Sequence, residues 1–170
     1  EEQLAELLKI ESALRHSIRL NRTLLQLFRI DSGEVAESID FNIAELIEEA
    51  AENYKEIYAS KMIECRVTIR QRASIHINET LARSLVLNLI KNAFIHTSNN
   101  GEIDSTLDNR RLTITNTGVK ALDYERLFDR FYTETSREGS TGLGLAIVKS
   151  ICDHYGFGVT YSYNNGRHVF

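Results

Sequence analysis

Apolar residues recur through the first part of the chain at steps of three, four and seven: Leu4, Leu7, Leu14, Ile18, Leu25 and Phe28. That period predicts one long bundle or coiled-coil helix, broken in its seam only by Glu11 and Asn21. Asp31-Ser32-Gly33 should end it, because glycine suits a left-handed cap. A lone helix cannot bury such a stripe. A second copy of the chain and a further helix are the expected partners.

After Gly33 the pattern shortens. Val35, Ile39 and Phe41 suggest an extended piece, and Asn42 with Glu45 reads as a capping pair for a helix to about Ser60. Cys65, Val67 and Ile69 alternate, as do Ile75 and Ile77, predicting two strands. A helix from about Glu79 to Thr97 follows. Ile103, Ser105 and Leu107 then face Leu112 and Ile114 across Asp108-Asn109-Arg110, a hairpin signal. A short helix is expected around Tyr124 to Phe131, then a loop without apolar content from Thr133 to Thr141. Leu143 to about Tyr155 should form the next helix. Val159, Tyr161 and Tyr163 alternate before a turn at Asn164-Asn165-Gly166 and a last strand to Phe170. The sum is an α+β fold: a two-layer α/β sandwich of a mixed, mostly antiparallel sheet covered by helices, preceded by one long helix.

Composition changes little. The 170 residues are 42% hydrophobic and 26% charged, and a net charge of -4 gives no reason to expect nucleic-acid affinity. Cys65 and Cys152 stand far apart without a CxxC pair, so neither a zinc site nor a disulfide framework is indicated. No run of about 18 apolar residues suggests a membrane span. The chain begins at Glu1 inside helical sequence, and reads as part of something longer.

Two stretches carry candidate chemistry. In SLVLNLIKNAFIHT, residues 84–97, the polar residues Ser84, Asn88, Asn92 and His96 recur every fourth position on an apolar helix. Buried polar groups need partners. A hydrogen-bonded pair fixing the helix would meet that need, and so would an oxygen ligand for magnesium beside phosphates. In GSTGLGLAIVKSI, residues 139–151, glycines open an apolar helix. Such a start either presents backbone N–H groups to an anion or simply feeds a core helix. No Gly-Lys-Ser/Thr follows, which excludes a P-loop.

Taken together, these stretches resemble the ATP-binding domain of bacterial sensor histidine kinases, within the superfamily that includes gyrase, mismatch-repair and chaperone ATPases. NLIKNAFIHT looks like the family's N box, LFDRFY at Leu127 to Tyr132 like its F box, and GSTGLGLAIVKSICDHYG like its second glycine box, in matching order. The resemblance implies residues 1–33 as the second helix of a dimerisation and phosphoacceptor module, and residues 34–170 as the ATP-binding catalytic domain. It implies ATP and Mg2+ as cofactors, with Asn92 as magnesium ligand. Asn88 would lie beside the phosphates in a catalytic role, with His96 near them. Phe128 and Phe131 would anchor a nucleotide lid, and Arg130 and Arg137 would offset phosphate charge. Thr141, Gly142, Leu143, Gly144 and Leu145 would meet the phosphates, and Asn116 and Gly118 the adenine.

The resemblance further implies a response regulator as partner, a homodimer through the long helices, and a cytoplasmic portion of a membrane-anchored sensor. The chain departs from the family at Asn116, where the adenine-binding residue is usually aspartate, and at Lys120, where a second glycine is usual. Ile95 and Thr133 replace basic residues. No phosphoacceptor motif is present; His16 is expected to be a surface or interface residue, and His76, His154 and His168 structural. The implied activity is therefore transfer of the ATP γ-phosphoryl group to a histidine outside this chain. A degenerate domain acting as a scaffold is the alternative, and a superfamily serine kinase a third reading.

Overall fold

A computed structural model describes residues 2–72, 74–134 and 141–170. The long helix α1 runs Glu2–Asp31 and is closed by Gly33 at φ +74°, whose N–H donates to Ile30 O at 3.1 Å. Its outward seam stays bare: Leu4, Leu7, Leu14, Leu25 and Phe28 are all exposed. A different face, Leu20, Leu27 and Ile30, packs into the core beside the last helix.

The remaining elements are β1 (Ile39–Asn42), α2 (Ile43–Ile57), a 3-10 turn (Ala59–Lys61), β2 (Glu64–Ile69), β3 (Ser74–Ile77) and α3 (Glu79–His96). Then come β4 (Glu102–Asp108), β5 (Arg111–Thr117), α4 (Gly144–Tyr155), β6 (Ser162–Asn164) and β7 (Arg167–Val169). Strands β2-β4-β5-β7-β6 form one sheet in that order. Its β2–β4 pair is parallel and its other pairs are antiparallel. β1 and β3 make a separate antiparallel ribbon.

Side chains on β4 alternate as a half-buried strand requires. Ile103, Ser105 and Leu107 point to the helices, whereas Glu102 and Asp104 lie on the open face, where Arg167 bonds both carboxylates. The β4–β5 turn has Asn109 and Arg110 both at positive φ, 44° and 63°, the type I′ geometry that matches strand twist. α2 and α3 are each capped by an asparagine: Asn42 Oδ1 accepts from Ala44 N–H at 3.1 Å, and Asn78 Oδ1 from Leu81 N–H at 3.2 Å. α4 ends at Gly156, φ +67°, with Phe157 N–H donating to Cys152 O at 2.8 Å, a Schellman closure.

Two expected elements differ. Tyr124 to Phe131 is not a helix but a series of turns, held by Arg126 N–H to Asp123 O and Asp129 N–H to Arg126 O. Only Leu127 is buried there, so a helix would have no apolar stripe to pack. The expected strand from Val159 shrinks to Ser162–Asn164, because β6 is an edge strand matched only by the three residues of β7. Tyr161 nevertheless turns inward.

Candidate functional site

The two asparagines of the α3 stripe meet the start of α4. A Cβ placed on Gly144 would lie 3.0 Å from Asn88 Oδ1 and 3.8 Å from Asn92 Oδ1, so glycine allows both carbonyl oxygens to reach the first turn of α4. Asn88 Nδ2 donates to Ser84 O at 2.7 Å, which fixes the amide with its oxygen toward that turn. The Asn92 carboxamide has no hydrogen-bond partner among the described residues. Both asparagines are half-buried. Unlike α2 and α3, α4 has no side-chain cap among the described residues, which leaves its first N–H groups and their partial positive charge for another acceptor.

His96 is exposed at the C-terminal end of α3. That end is held by a residue the sequence reading missed. Lys61 Nζ donates to Phe94 O at 2.8 Å, Ile95 O at 2.9 Å and Thr97 O at 2.8 Å, a cation gripping the negative pole of the helix. Tyr54, Tyr58 and Phe94 stack alongside. Burial lowers the Lys91 pKa, and the Arg19 charge on α1 adds to the effect, so α1 passes close to the outer side of α3.

Leu143 is fully buried, so only its backbone can meet a ligand, while Thr141, Gly142 and Leu145 are half-buried. Phe131 N–H donates to Gly142 O at 2.9 Å, joining the two ends of the intervening segment. Their backbones touch: a Cβ on Gly142, φ +64°, would lie 2.6 Å from Phe131 C. Leu127 is the buried anchor of this region, Phe128 is half-buried, and Phe131 is 58% exposed with φ +66°. Arg130 is ion-paired with Asp31 at the end of α1. Arg137 lies outside the described residues.

The other predicted site residues, Asn116 and Gly118, lie at the β5–β7 pair. Asn116 is buried and directly opposite His168, also buried. Asn116 Nδ2 donates to Thr117 O at 3.2 Å, which leaves the carboxamide oxygen as the free group. Gly118 is bound by Gly166 O at its N–H, 2.9 Å, and by the Tyr163 hydroxyl at its carbonyl, 3.1 Å. A Cβ on Gly118 would lie 2.0 Å from His168 Nε2. Gly118→Ala is therefore expected to displace either the loop or the histidine, at a cost of about 1–3 kcal/mol. Thermal unfolding checks this, and a variant melting with the parent would contradict the contact.

Residues 77–169 match the family described as histidine kinase-, DNA gyrase B- and HSP90-like ATPases. This chain belongs to that ATPase family. Among curated relatives, the ATPase chain is 30% identical over 164 residues to the heme sensor protein HssS of Staphylococcus saprophyticus, covering 92% of this chain and 35% of the relative. It is 29% identical over 165 residues to the sensor histidine kinase HprS of Escherichia coli, covering 92% of this chain and 36% of the relative. The chain thus spans about a third of the length of the curated relatives it matches.

Among solved structures, the catalytic domain of histidine kinase ThkA matches with a TM-score of 0.70 and 25% identity, over 79% of this chain and 92% of that one. A ThkA structure in complex with the response regulator protein TrrA matches with a TM-score of 0.72 and 22% identity, over 92% of this chain and 47% of that one. The ATPase fold is therefore that of histidine kinase catalytic domains. Among the described residues no helix is long and apolar enough to cross a membrane.

Proposed function

We propose that this chain is the ATP-binding catalytic part of a two-component sensor histidine kinase, passing the γ-phosphoryl group of ATP to a histidine outside it for relay to a response regulator. The convergence of Asn88 and Asn92 on Gly144 at the uncapped start of α4 carries the reading. In phosphoryl transfer the protein mostly positions groups and balances charge. The residues present fit magnesium, whose usual ligands are oxygens from one or two protein groups plus phosphates. Asn92 would supply one such oxygen, and magnesium bound there would offset phosphate charge. Asn88, held by Ser84, would orient the phosphates, and the first N–H groups of α4 would donate to them.

Residues 1–33 are assigned to a dimerisation helix and 34–170 to the catalytic domain, because the outward seam of α1 is bare over its whole length. Two copies would cover it with the help of a preceding helix, on the cytoplasmic side of a membrane-anchored sensor. The relatives' names support the sensor-kinase part of that reading.

Titration calorimetry with a nonhydrolysable ATP analogue, with and without magnesium, tests the core of the proposal. Magnesium-dependent binding is expected, and none at millimolar ligand sinks it. Asp31 holds Arg130 through one guanidinium nitrogen and competes with the phosphates for its charge. Asp31→Asn is accordingly expected to tighten nucleotide binding several-fold while changing stability by less than about 1 kcal/mol. Unchanged affinity would remove Arg130 from the site.

A scaffold role is the second reading, favoured by Asn116 in place of a charged acceptor. Incubating labelled ATP with a longer chain carrying the upstream helix separates the two. Phosphohistidine supports the kinase, and its absence the scaffold.

A further inference from the structure

On the floor of the base-binding end, two buried polar side chains each keep one hydrogen-bonding atom unused. Asn116 is 2% exposed and His168 5% exposed, and they are direct cross-strand partners on one face of the sheet. Residues so opposed hold their Cβ atoms about 4.5–5.5 Å apart, so one small planar ligand can touch both. The Asn116 amide nitrogen is spent on Thr117 O, leaving Oδ1 without a donor among the described residues. An acceptor is what remains there.

The protonation of His168 follows from its neighbour. Tyr161 Oη lies 2.9 Å from His168 Nδ1 and accepts the Leu122 N–H, also at 2.9 Å. Nδ1 is the acceptor that the described residues offer the hydroxyl proton, and that arrangement places the hydrogen of the neutral ring on Nε2. Burial favours that neutral form by pushing the His168 pKa down, against a smaller upward pull from Glu134. Glu134 is itself paired with Lys120 at 3.1 Å. Nε2 has no partner among the described residues and lies against Gly118, two residues beyond Asn116. The ring therefore holds a donor beside Gly118, on the strand pair that carries Asn116.

We infer that His168 is a specificity-determining residue for the base: its Nε2–H donates to N1 of adenine while Asn116 Oδ1 accepts from the N6 amine. The pair reads an acceptor and a donor on one edge of the purine. Guanine presents the opposite order there, an acceptor at O6 and a donor at N1, and would leave both buried groups facing like groups. This inference rests on the nucleotide-binding reading above. It explains how a site with a neutral asparagine can still select adenine, since a second hydrogen bond takes up part of the discrimination. Gly118 belongs to the same device, because any side chain there would occupy the histidine's place.

The test compares ATP with 1-deaza-ATP, in which CH replaces N1, by calorimetry in magnesium. The parent protein is expected to bind 1-deaza-ATP about tenfold more weakly, the value of one hydrogen bond. His168→Phe should weaken ATP by a similar factor and leave 1-deaza-ATP unchanged, so that the discrimination disappears. His168→Gln keeps a donor and should retain part of it. Equal binding of both nucleotides by the parent, or equal weakening of both by His168→Phe, overturns the assignment while leaving nucleotide binding intact. Binding of neither nucleotide to the parent overturns the nucleotide-binding reading itself, and this inference with it.

Discussion

Replacing Asn92 by alanine is expected to abolish most magnesium-dependent nucleotide binding and to leave the fold as stable as before. The two halves of that result come from different observations. Asn92 Oδ1 reaches the start of α4, yet its carboxamide has no hydrogen-bond partner among the described residues, so its loss breaks no hydrogen bond there. Alanine is also the better helix former, and the stability change should stay within about 0.5 kcal/mol. Losing a contact to a charged group costs about 1.5–3 kcal/mol, or roughly ten- to 150-fold in affinity. Calorimetry beside thermal unfolding reads both quantities. Asn88→Ala is the useful contrast, because Asn88 already bonds Ser84 within the helix and should lower stability and affinity together. If Asn92→Ala binds nucleotide like the parent, magnesium is held elsewhere or not at all.

The largest effect on stability should come from Lys61→Met. Its ammonium group caps three carbonyls at the end of α3, and Met keeps the stem while removing every donor. Those carbonyls lie at the negative pole of the helix and are partly buried, so the expected loss is about 2–3 kcal/mol. For a domain of this size that corresponds to roughly 4–12 °C in melting temperature. Lys61→Arg, with a bulkier and planar head, should recover only part of it. Nucleotide affinity should fall as well, since His96 stands on the turn that loses its cap. A melting temperature within a degree of the parent would show that water replaces the ammonium group without penalty.

The legibility of the chain followed the range of the interactions. Periodicity located the helices and most strands because each alternation or heptad step is a local signal of burial. Asn42 could set a helix start for the same reason: its cap closes within two residues. Tyr124 to Phe131 failed where composition suggested a helix and a single buried leucine supplied no stripe. The β6 strand failed because its length is set by β7, not by its own alternation.

At the site, the spacing of Asn88 and Asn92 was visible, and so were the glycines that admit them. Lys61 was not, since its acceptors are 33 to 36 residues away and no spacing rule joins a turn lysine to a distant helix end. The sequence marks His168 as no more than structural for a similar reason. Its meaning comes from the register that sets it opposite Asn116, and register is a property of the paired strands.

The two faces of α1 have a mechanical consequence. Leu27 and Ile30 are locked into the core, whereas Phe28 and Leu25 in the same turns point to solvent. A helix advances about 100° per residue, so the outward seam and the docked face keep a fixed angular offset along the rod. Inserting one residue above Leu20 would rotate the upper seam by that angle relative to the ATPase domain. Inserting seven would leave it within about 20° of its original bearing. In the proposed dimer, the length of this helix, counted in heptads, would therefore set where each catalytic domain sits around the bundle axis.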